Sequence, residues 1–313
     1  MKKELSLFLR LIFSISIILI LFYKIGPKDI IQTFVKVNLL YTPLIILAII
    51  FTVLLGALNL KILIDCINKI KFLKILRYYL LSWAIGLFVP GKMGEFSIVY
   101  FLKKEDISIG QSLAISIMDK LITVVTLSFL TIAAFFVIPV KTDVVQFILV
   151  LSVIFGIVLF FIVTEIGRGI IKKYVLRKYA EKFAGFSKTF FYYLKDKKDA
   201  LIINLILTFL KWILSSAAVA ILFLAFDTTI RFYYIVLITA ATIIVGLVPF
   251  TISGLGLRES VAVFFYNLIS IKPSVVVSVY LIFNIINYLF AMIIFSAINV
   301  KKIKSNINTS LFF

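Results

Sequence analysis

Long apolar runs separated by short basic gaps dominate this sequence and limit the folds open to it. A helix that crosses a bilayer needs about 20 apolar residues, and the ranges 39–64, 107–138 and 274–298 each reach that length. Hydrophobic residues make up 63% of the chain, against roughly 45–50% in ordinary soluble proteins. The sequence therefore predicts a single all-α, polytopic membrane domain covering residues 1–313.

The chain is also strongly basic, with 33 Lys and Arg against 14 Asp and Glu and a formal net charge of +19. A nucleic-acid-binding protein would be basic too, but here the basic residues lie in the gaps between apolar runs, so no nucleic-acid partner is expected. The sequence contains no His, and Cys66 is its only cysteine. Imidazole chemistry, disulfides and Cys or His metal sites are therefore excluded, and we expect no metal or other cofactor.

Six apolar segments are predicted to cross the membrane, at residues 7–23, 39–64, 107–138, 144–163, 200–226 and 274–298. Two further apolar segments, 78–102 and 232–269, are interrupted by glycine and proline. Each of these two could cross the membrane once, cross it fully in both directions, or enter and return on one side as a re-entrant hairpin.

The distribution of positive charge separates these alternatives in part, because cytoplasmic loops are enriched in Lys and Arg. If both interrupted segments return to the side they entered, 21 of the 33 basic residues are cytoplasmic and 6 are outside. If each crosses once, the ten basic residues of 165–199 fall outside. We predict six spans, two re-entrant hairpins and cytoplasmic N- and C-termini in the cell membrane. Hairpins that cross fully, giving eight or more spans, fit the charge rule equally well.

The most polar region, residues 165–199, has ten basic and four acidic residues, with an apolar side chain at every third or fourth position. This spacing predicts one or two basic amphipathic helices that lie on the membrane. Their positive charge suits the anionic lipid headgroups of the cytoplasmic face.

The order of the segments suggests two inverted repeats. Residues 39–138 and 200–298 each contain a span, an interrupted segment and a second span, and an odd number of spans separates them, so the second unit is inverted. Pro90 breaks the first interrupted segment and Pro249 the second, and glycines and a glutamate follow each proline. Inverted repeats with Gly/Pro breaks in matching places are typical of transporters that bind substrate where the breaks meet.

Candidate binding residues therefore cluster at the two breaks. A helix that restarts after a break offers free N–H groups and a partial positive charge, and glycines let an anion approach the backbone. With a basic side chain added, each break is typical of a phosphate site. The candidates are Gly91, Lys92, Gly94 and Glu95 in the first break, and Gly254, Gly256, Arg258 and Glu259 in the second.

The acidic candidates leave several roles open. Glu95 and Glu259 could each neutralise the cation of their own break, receive a cationic headgroup or carry a coupling proton, and a structural ion pair is the simplest alternative. Asp119 and Lys120 are adjacent in the third predicted span, and adjacent helical residues point about 100° apart. A charge at the bilayer centre costs roughly 2.5–3.5 kcal/mol, so we expect at least one of them to face the bundle interior. Both are included as candidates, with ion pairing to the hairpin as the alternative.

Other polar residues within or beside the apolar runs are expected to be structural. Lys61 and Asp65 lie four residues apart and can pair on one helix face. Asn284 and Asn287 share a face of the last predicted span and are expected to hydrogen-bond between helices. Glu105 and Asp106 are expected to lie in a solvated cytoplasmic loop.

Three of these features together resemble a known family. Residues 86–95 (GLFVPGKMGE), the adjacent Asp119 and Lys120, and residues 253–259 (SGLGLRE) are similar to the lysylphosphatidylglycerol synthase transmembrane region, a flippase-like family. The resemblance extends over nearly the whole chain and implies a function in moving lipids between leaflets. Some family members also carry a cytosolic aminoacyl-transferase domain, and we expect none here because the chain ends at Phe313.

The sequence thus predicts a non-enzymatic lipid flippase or translocase that moves an anionic or phosphate-bearing lipid between leaflets. It has no phosphate-binding loop of the type that would indicate ATP use. Membrane lipids are its expected partners, together with a separate lipid-modifying enzyme. Two alternatives stay open: an integral-membrane enzyme acting on a phospholipid or polyprenyl phosphate with Glu95 or Asp119 as its base, and an accessory scaffold for a separate synthase.

Overall fold

A computed structural model describes residues 2–138 and 185–297 of the chain, with side chains from Leu9 onward. The described residues form α-helices joined by short turns and 3-10 segments, which confirms the all-α prediction. The predicted span at 144–163 and the larger part of the predicted amphipathic region, 165–184, lie outside the described residues.

The N-terminal helix α1 (Lys2–Ile25) is followed at once by the short helix α2 (Pro27–Val35). The two helices meet at an angle of 92°. Gly26 between them has a φ of 100°, which a glycine adopts without steric cost. Pro27 then begins α2, a position at which the missing proline N–H leaves no helical hydrogen bond unmade.

The first predicted repeat contains four helices: α3 (Thr42–Asp65), α4 (Phe72–Phe88), α5 (Ile98–Lys103) and α6 (Ile109–Val137). Ser108 begins α6 with a capping box, because its Oγ accepts the Gln111 N–H while the Gln111 side chain accepts the Ser108 N–H. Ile138 ends the helix in an extended conformation, as expected for the residue before a proline.

The second half contains α7 (Phe186–Asp196), α8 (Lys198–Ala225), α9 (Phe232–Gly246), α10 (Leu257–Leu268) and α11 (Pro273–Ala297). Helix α7 belongs to the predicted amphipathic region, and its two faces differ as the spacing requires. Phe190 and Tyr193 are fully buried while Lys188 is exposed. The Tyr193 hydroxyl donates a 2.5 Å hydrogen bond to the carbonyl of Leu63, which fixes α7 to the end of α3.

Four of the described helices are long and apolar enough to cross a membrane: α3 with the 3-10 turn before it, α6, α8 and α11. They coincide with the predicted spans at 39–64, 107–138, 200–226 and 274–298. The pair α1 and α2 adds a fifth if it is counted as one bent span. The chain is therefore a multi-pass membrane protein. Helices α4 and α9 have only 17 and 15 residues and belong to the two interrupted segments.

Helix α4 begins six residues earlier than its apolar run, so Lys74 lies inside its first turns. The Lys74 ammonium lies 2.7 Å from the Glu105 carboxylate, which also accepts a 2.6 Å hydrogen bond from the Tyr78 hydroxyl. The side chain of Glu105 is only 11% exposed. The prediction of a solvated Glu105 is thus wrong, because a cation and a phenol on α4 draw its carboxylate against the protein.

Candidate functional site

The two interrupted segments meet in the structure. Pro90 and Ile252 form an isolated antiparallel β-bridge, so the backbones of the two breaks lie side by side. At Gly91 the approach is so close that an added Cβ would lie 2.8 Å from the Leu247 carbonyl oxygen and 3.1 Å from the Cβ of Pro249. Only a residue without a side chain fits there.

In the first break the chain reverses direction and returns along α4. Gly91 and Lys92 are both left-handed, with φ of 58° and 57°, and a 3-10 helix (Met93–Ser97) then leads to α5. Gly94 packs directly on α4, since an added Cβ would lie 2.7 Å from the carbonyl group of Ile85. Gly94 therefore allows the return of the chain and does not line an open site.

The second break has the same backbone pattern. Ser253 and Gly254 are consecutive left-handed residues, with φ of 50° and 80°. Gly254 lies against α9, where an added Cβ would be 2.6 Å from the Cα of Gly246. Gly256, with φ of 86°, immediately precedes α10. Both breaks thus pack back against the helix that leads into them.

A cavity of about 220 Å³ lies where the breaks meet. Its wall contains Gly91, Lys92 and Glu95 from the first break, Arg258 and Glu259 from the second, and Lys120 from α6. The other four candidates, Gly94, Asp119, Gly254 and Gly256, do not belong to the wall. The structure therefore brings six of the ten predicted site residues around one cavity and places the rest behind it.

Glu95 forms its ion pair with Lys120 of α6. Lys92, the cation of its own break, has no such contact with it. The same ammonium of Lys120 also lies 3.4 Å from the Asp119 carboxylate. One cation is therefore shared by two carboxylates and holds the first hairpin against the third predicted span.

Asp119 faces a buried polar cluster between α3, α6 and α8. Its Oδ1 lies 3.4 Å from Nδ2 of Asn59, which also donates a 2.7 Å hydrogen bond to Thr208. Asn204 in turn donates to the carbonyl oxygen of Asn59 at 3.1 Å. Asp119 is only 5% exposed, so its carboxylate serves to join three helices behind the cavity wall.

Glu259 caps its own helix. One carboxylate oxygen accepts a 2.6 Å hydrogen bond from the Gly256 N–H, and the other accepts a 2.6 Å hydrogen bond from the side chain of Asn284 on α11. The predicted interhelical role of Asn284 is confirmed. That of Asn287 is wrong, because its side-chain amide donates to the Phe283 carbonyl of its own helix. The Gly256 N–H at the start of α10, a donor that we expected an anion to use, is therefore already occupied by the carboxylate.

The first break offers no helix N-terminus for an anion either, since Lys92 is followed only by a five-residue 3-10 segment. What the cavity offers instead is three cationic side chains: Lys92, Arg258 and Lys211. Within the described residues, none of the three has a carboxylate within 4.0 Å. The Nε of Arg258 is buried and has no hydrogen-bond partner there.

Lys211 was not among the residues singled out by the sequence analysis. It lies within α8, is 7% exposed and places its ammonium 4.9 Å from the centre of the Trp212 ring. The signal in the sequence was a single lysine within an apolar run long enough to span the membrane, where a charge is costly unless it faces the bundle interior. The sequence does not say which face of the helix the lysine occupies, and the structure places it in the cavity wall.

Fold and site together define a polytopic helical membrane protein with a charged cavity between two broken segments. The family described as lysylphosphatidylglycerol synthase TM region matches residues 7–294, and the chain belongs to this family. A search among curated proteins finds no match. The family membership confirms the resemblance seen in the sequence and ties the protein to the handling of membrane lipids.

Proposed function

We propose that the protein is a lipid translocase that moves an anionic or phosphate-bearing lipid between membrane leaflets. The observation that carries this proposal is the meeting of the two breaks around one cavity, with Lys92 from one break and Arg258 from the other in its wall. A phosphate can lie between these two side chains. The family, which is tied to lipids, supports the same conclusion.

The cavity would lower the free-energy barrier that a charged headgroup meets on crossing the hydrocarbon. A bare charge at the bilayer centre costs several kcal/mol, and hydrogen bonds from Lys92 and Arg258 would replace the water that a phosphate loses on entry. A cavity of about 220 Å³ has room for a small headgroup, and the acyl chains would stay in the bilayer during the passage.

For orientation, we propose the topology that the basic residues favour. The N- and C-termini are cytoplasmic in the cell membrane, the two interrupted segments are re-entrant hairpins, and residues 39–138 and 200–298 are inverted repeats that expose the cavity alternately to each side. Helix α7 then lies at the cytoplasmic face, beside anionic headgroups. A separate lipid-modifying enzyme would supply or consume the lipid.

The contacts of the two candidate bases favour transport over catalysis. Glu95 and Asp119 share the ammonium of Lys120, and Asp119 is further enclosed by Asn59. Their contacts join helices and leave neither carboxylate exposed alone in the cavity. We therefore assign both to structure and propose no enzymatic step.

Reconstitution tests the proposal. Purified protein is placed in vesicles with phospholipids labelled on the acyl chain, and exchange between leaflets is followed by quenching of the outer label. The wild-type protein is expected to accelerate exchange, and Lys92→Ala and Arg258→Ala to reduce it strongly. Lys188→Ala, which removes an exposed cation, is the matched control and should exchange lipid like the wild type.

Exchange at the empty-vesicle rate for every lipid class would refute the translocase. In that case, comparing lipid extracts of cells with and without the gene by mass spectrometry separates the two alternatives. New or missing lipid species would indicate an enzyme. Unchanged species, with loss of a separate synthase from the membrane, would indicate a scaffold.

A further inference from the structure

We propose that the cavity selects headgroups that carry a phosphate and no amine, with Lys211 as the residue that determines this specificity. This inference rests on the proposed function, because it names the chemical class that the same cavity takes. It follows from three observations. The carboxylates already have partners within the protein, the cations have no carboxylate within 4.0 Å in the described residues, and the charged residues in and directly behind the wall have a net positive charge.

No carboxylate of the described cavity is free to receive an amine. Glu95 is paired with Lys120. Both oxygens of Glu259 accept hydrogen bonds within the protein, and its side chain is 1% exposed. Asp119 lies behind the wall in contact with Lys120 and Asn59. An ammonium group that entered would have to displace one of these partners.

The three cations Lys92, Arg258 and Lys211, in contrast, have no carboxylate within 4.0 Å in the described residues. Lys92 and Arg258 come from the two breaks, and Lys211 reaches the same cavity from α8. The charge of Glu95 attracts the ammonium of Lys92, and the charges of Arg258 and Lys211 repel it. The three cations therefore form one cluster beside a carboxylate that Lys120 already pairs. An anion between the cations would relieve their mutual repulsion.

The net charge of the residues around the cavity indicates how many negative charges a well-matched ligand carries. Lys92, Lys120, Lys211 and Arg258 carry four positive charges in the cavity wall, and Glu95 and Glu259 carry two negative ones there. Asp119 lies behind the wall, in contact with Lys120, and adds a third negative charge, which leaves one positive charge in excess. A phosphodiester with a neutral headgroup brings one negative charge and cancels it. A zwitterionic headgroup leaves the excess, and an aminoacylated one adds to it, in surroundings where an uncompensated charge is costly.

Lys211 differs from the other two free cations in its position. Lys92 and Arg258 lie at the breaks, where backbone movement can carry them apart. Lys211 belongs to the middle of a continuous helix that begins at Lys198, and Asn204, Thr208 and Ser215 on the same side of that helix are buried with it. Its charge is therefore a fixed part of the wall, which suits a residue that sets the preferred charge of the ligand.

The experiment measures binding to delipidated, full-length protein in detergent. Three lipids with identical acyl chains differ only in headgroup: phosphatidylglycerol, phosphatidylethanolamine and lysyl-phosphatidylglycerol. Apparent affinity is read from competition against a fluorescent phosphatidylglycerol. We expect phosphatidylglycerol to bind at least about tenfold more tightly than the other two, because one hydrogen bond to a charged group has an effect of that order. Equal affinities would overturn the proposal.

Variants identify the residue responsible. Lys211→Met should weaken phosphatidylglycerol binding by about tenfold and remove the preference over phosphatidylethanolamine, while Lys211→Arg should keep both. Lys188→Met removes a cation on the membrane surface and should change neither. If Lys211→Met keeps the preference of the wild type, or if Lys188→Met loses it equally, Lys211 does not determine specificity.

Two further arms separate this proposal from the one on which it rests. Soluble glycerol 3-phosphate competing as well as the lipid would show that the cavity takes free phosphate esters, and would overturn the lipid assignment. Selective binding without leaflet exchange in vesicles would refute the proposed translocase function and support the proposed selectivity. Exchange at equal rates for all three lipids would support the translocase function and refute the selectivity.

Discussion

Substitution of lysine by methionine should change the free energy of unfolding in opposite directions at two positions of the cavity wall, Lys211 and Lys120. Lys211→Met removes a buried ammonium that has no carboxylate within 4.0 Å in the described residues. Lys120→Met removes the shared partner of Glu95 and Asp119. We expect the first variant to be more stable than the wild type and the second to be much less stable.

The magnitudes follow from the surroundings of each ammonium. A lysine in the middle of a membrane helix costs roughly 2.5–3.5 kcal/mol, and the contact of Lys211 with the Trp212 ring recovers about 0.5–2 kcal/mol of that. Methionine fills a similar volume without a charge, so Lys211→Met should stabilise the protein by about 1–3 kcal/mol. Lys120→Met leaves two carboxylates without their shared cation, Glu95 and Asp119, whose side chains are 16% and 6% exposed. Leaving a buried charge without its partner costs about 3–5 kcal/mol, which is the loss expected for this variant.

The assay is thermal and denaturant unfolding of both variants in the same detergent, after the same delipidation. Lys61→Met is the reference, because Lys61 pairs with Asp65 at 2.5 Å and the Asp65 side chain that remains is 34% exposed. A pair of that kind is worth about 0–1 kcal/mol. A Lys211→Met protein less stable than the wild type would refute the reasoning, since it would mean that the ammonium has a stabilising partner. A Lys120→Met protein as stable as Lys61→Met would refute the claim that the ion pairs of Lys120 with Glu95 and Asp119 stabilise the fold.

Three further predictions concern the breaks and the topology. Gly94→Ala should lower stability by about 1–3 kcal/mol in the same unfolding assay, because the new Cβ would meet the backbone of Ile85 at 2.7 Å. Lys92→Gly should be about 1–2 kcal/mol more stable than Lys92→Ala, because φ at this position is 57° and glycine lacks the left-handed penalty. Burial raises the pKa of the Cys66 thiol, so alkylation by an impermeant maleimide should be slow at neutral pH, accelerate as the pH rises, and occur only from the cytoplasmic side. Rates that are independent of pH, or labelling from outside, would contradict the last prediction.

The sequence was sufficient to predict the breaks and their meeting. Pro90 and Pro249 interrupt apolar runs in matching places, and transporter architecture predicts that such breaks face each other. The structure adds the contact itself, through the β-bridge of Pro90 and the close approach at Gly91. Local rules were sufficient here because a Gly/Pro break affects only the few residues around it.

The sequence did not predict which charged side chains pair between different helices. Lys92 is the nearest cation to Glu95 in sequence, yet the ion pair forms with Lys120 on another helix, and residue spacing carries no information about that choice. Glu259 is different, since its spacing from Gly256 is that of a capping box and its role at the start of α10 was readable. Lys211 required the structure, because a lone lysine in an apolar run is equally compatible with snorkelling to the interface.

The two breaks match in backbone, and in both of them the glutamate has partners within the protein while the cation has no carboxylate within 4.0 Å in the described residues. If Glu95 and Glu259 were both free, each half would present a cation and a carboxylate, and a zwitterionic headgroup would be matched as well as an anionic one. Instead Glu95 connects its hairpin to α6 and Glu259 caps α10, so both carboxylates maintain the shape of the breaks.

The free cations Lys92 and Arg258 belong to opposite halves, so a phosphate bound between them connects the two hairpins. Any movement that separates the halves must break its contacts with one of them. The cations that favour entry of the headgroup therefore also oppose its release. Exchange in vesicles should accordingly be fastest for a lipid that binds the cavity with intermediate affinity.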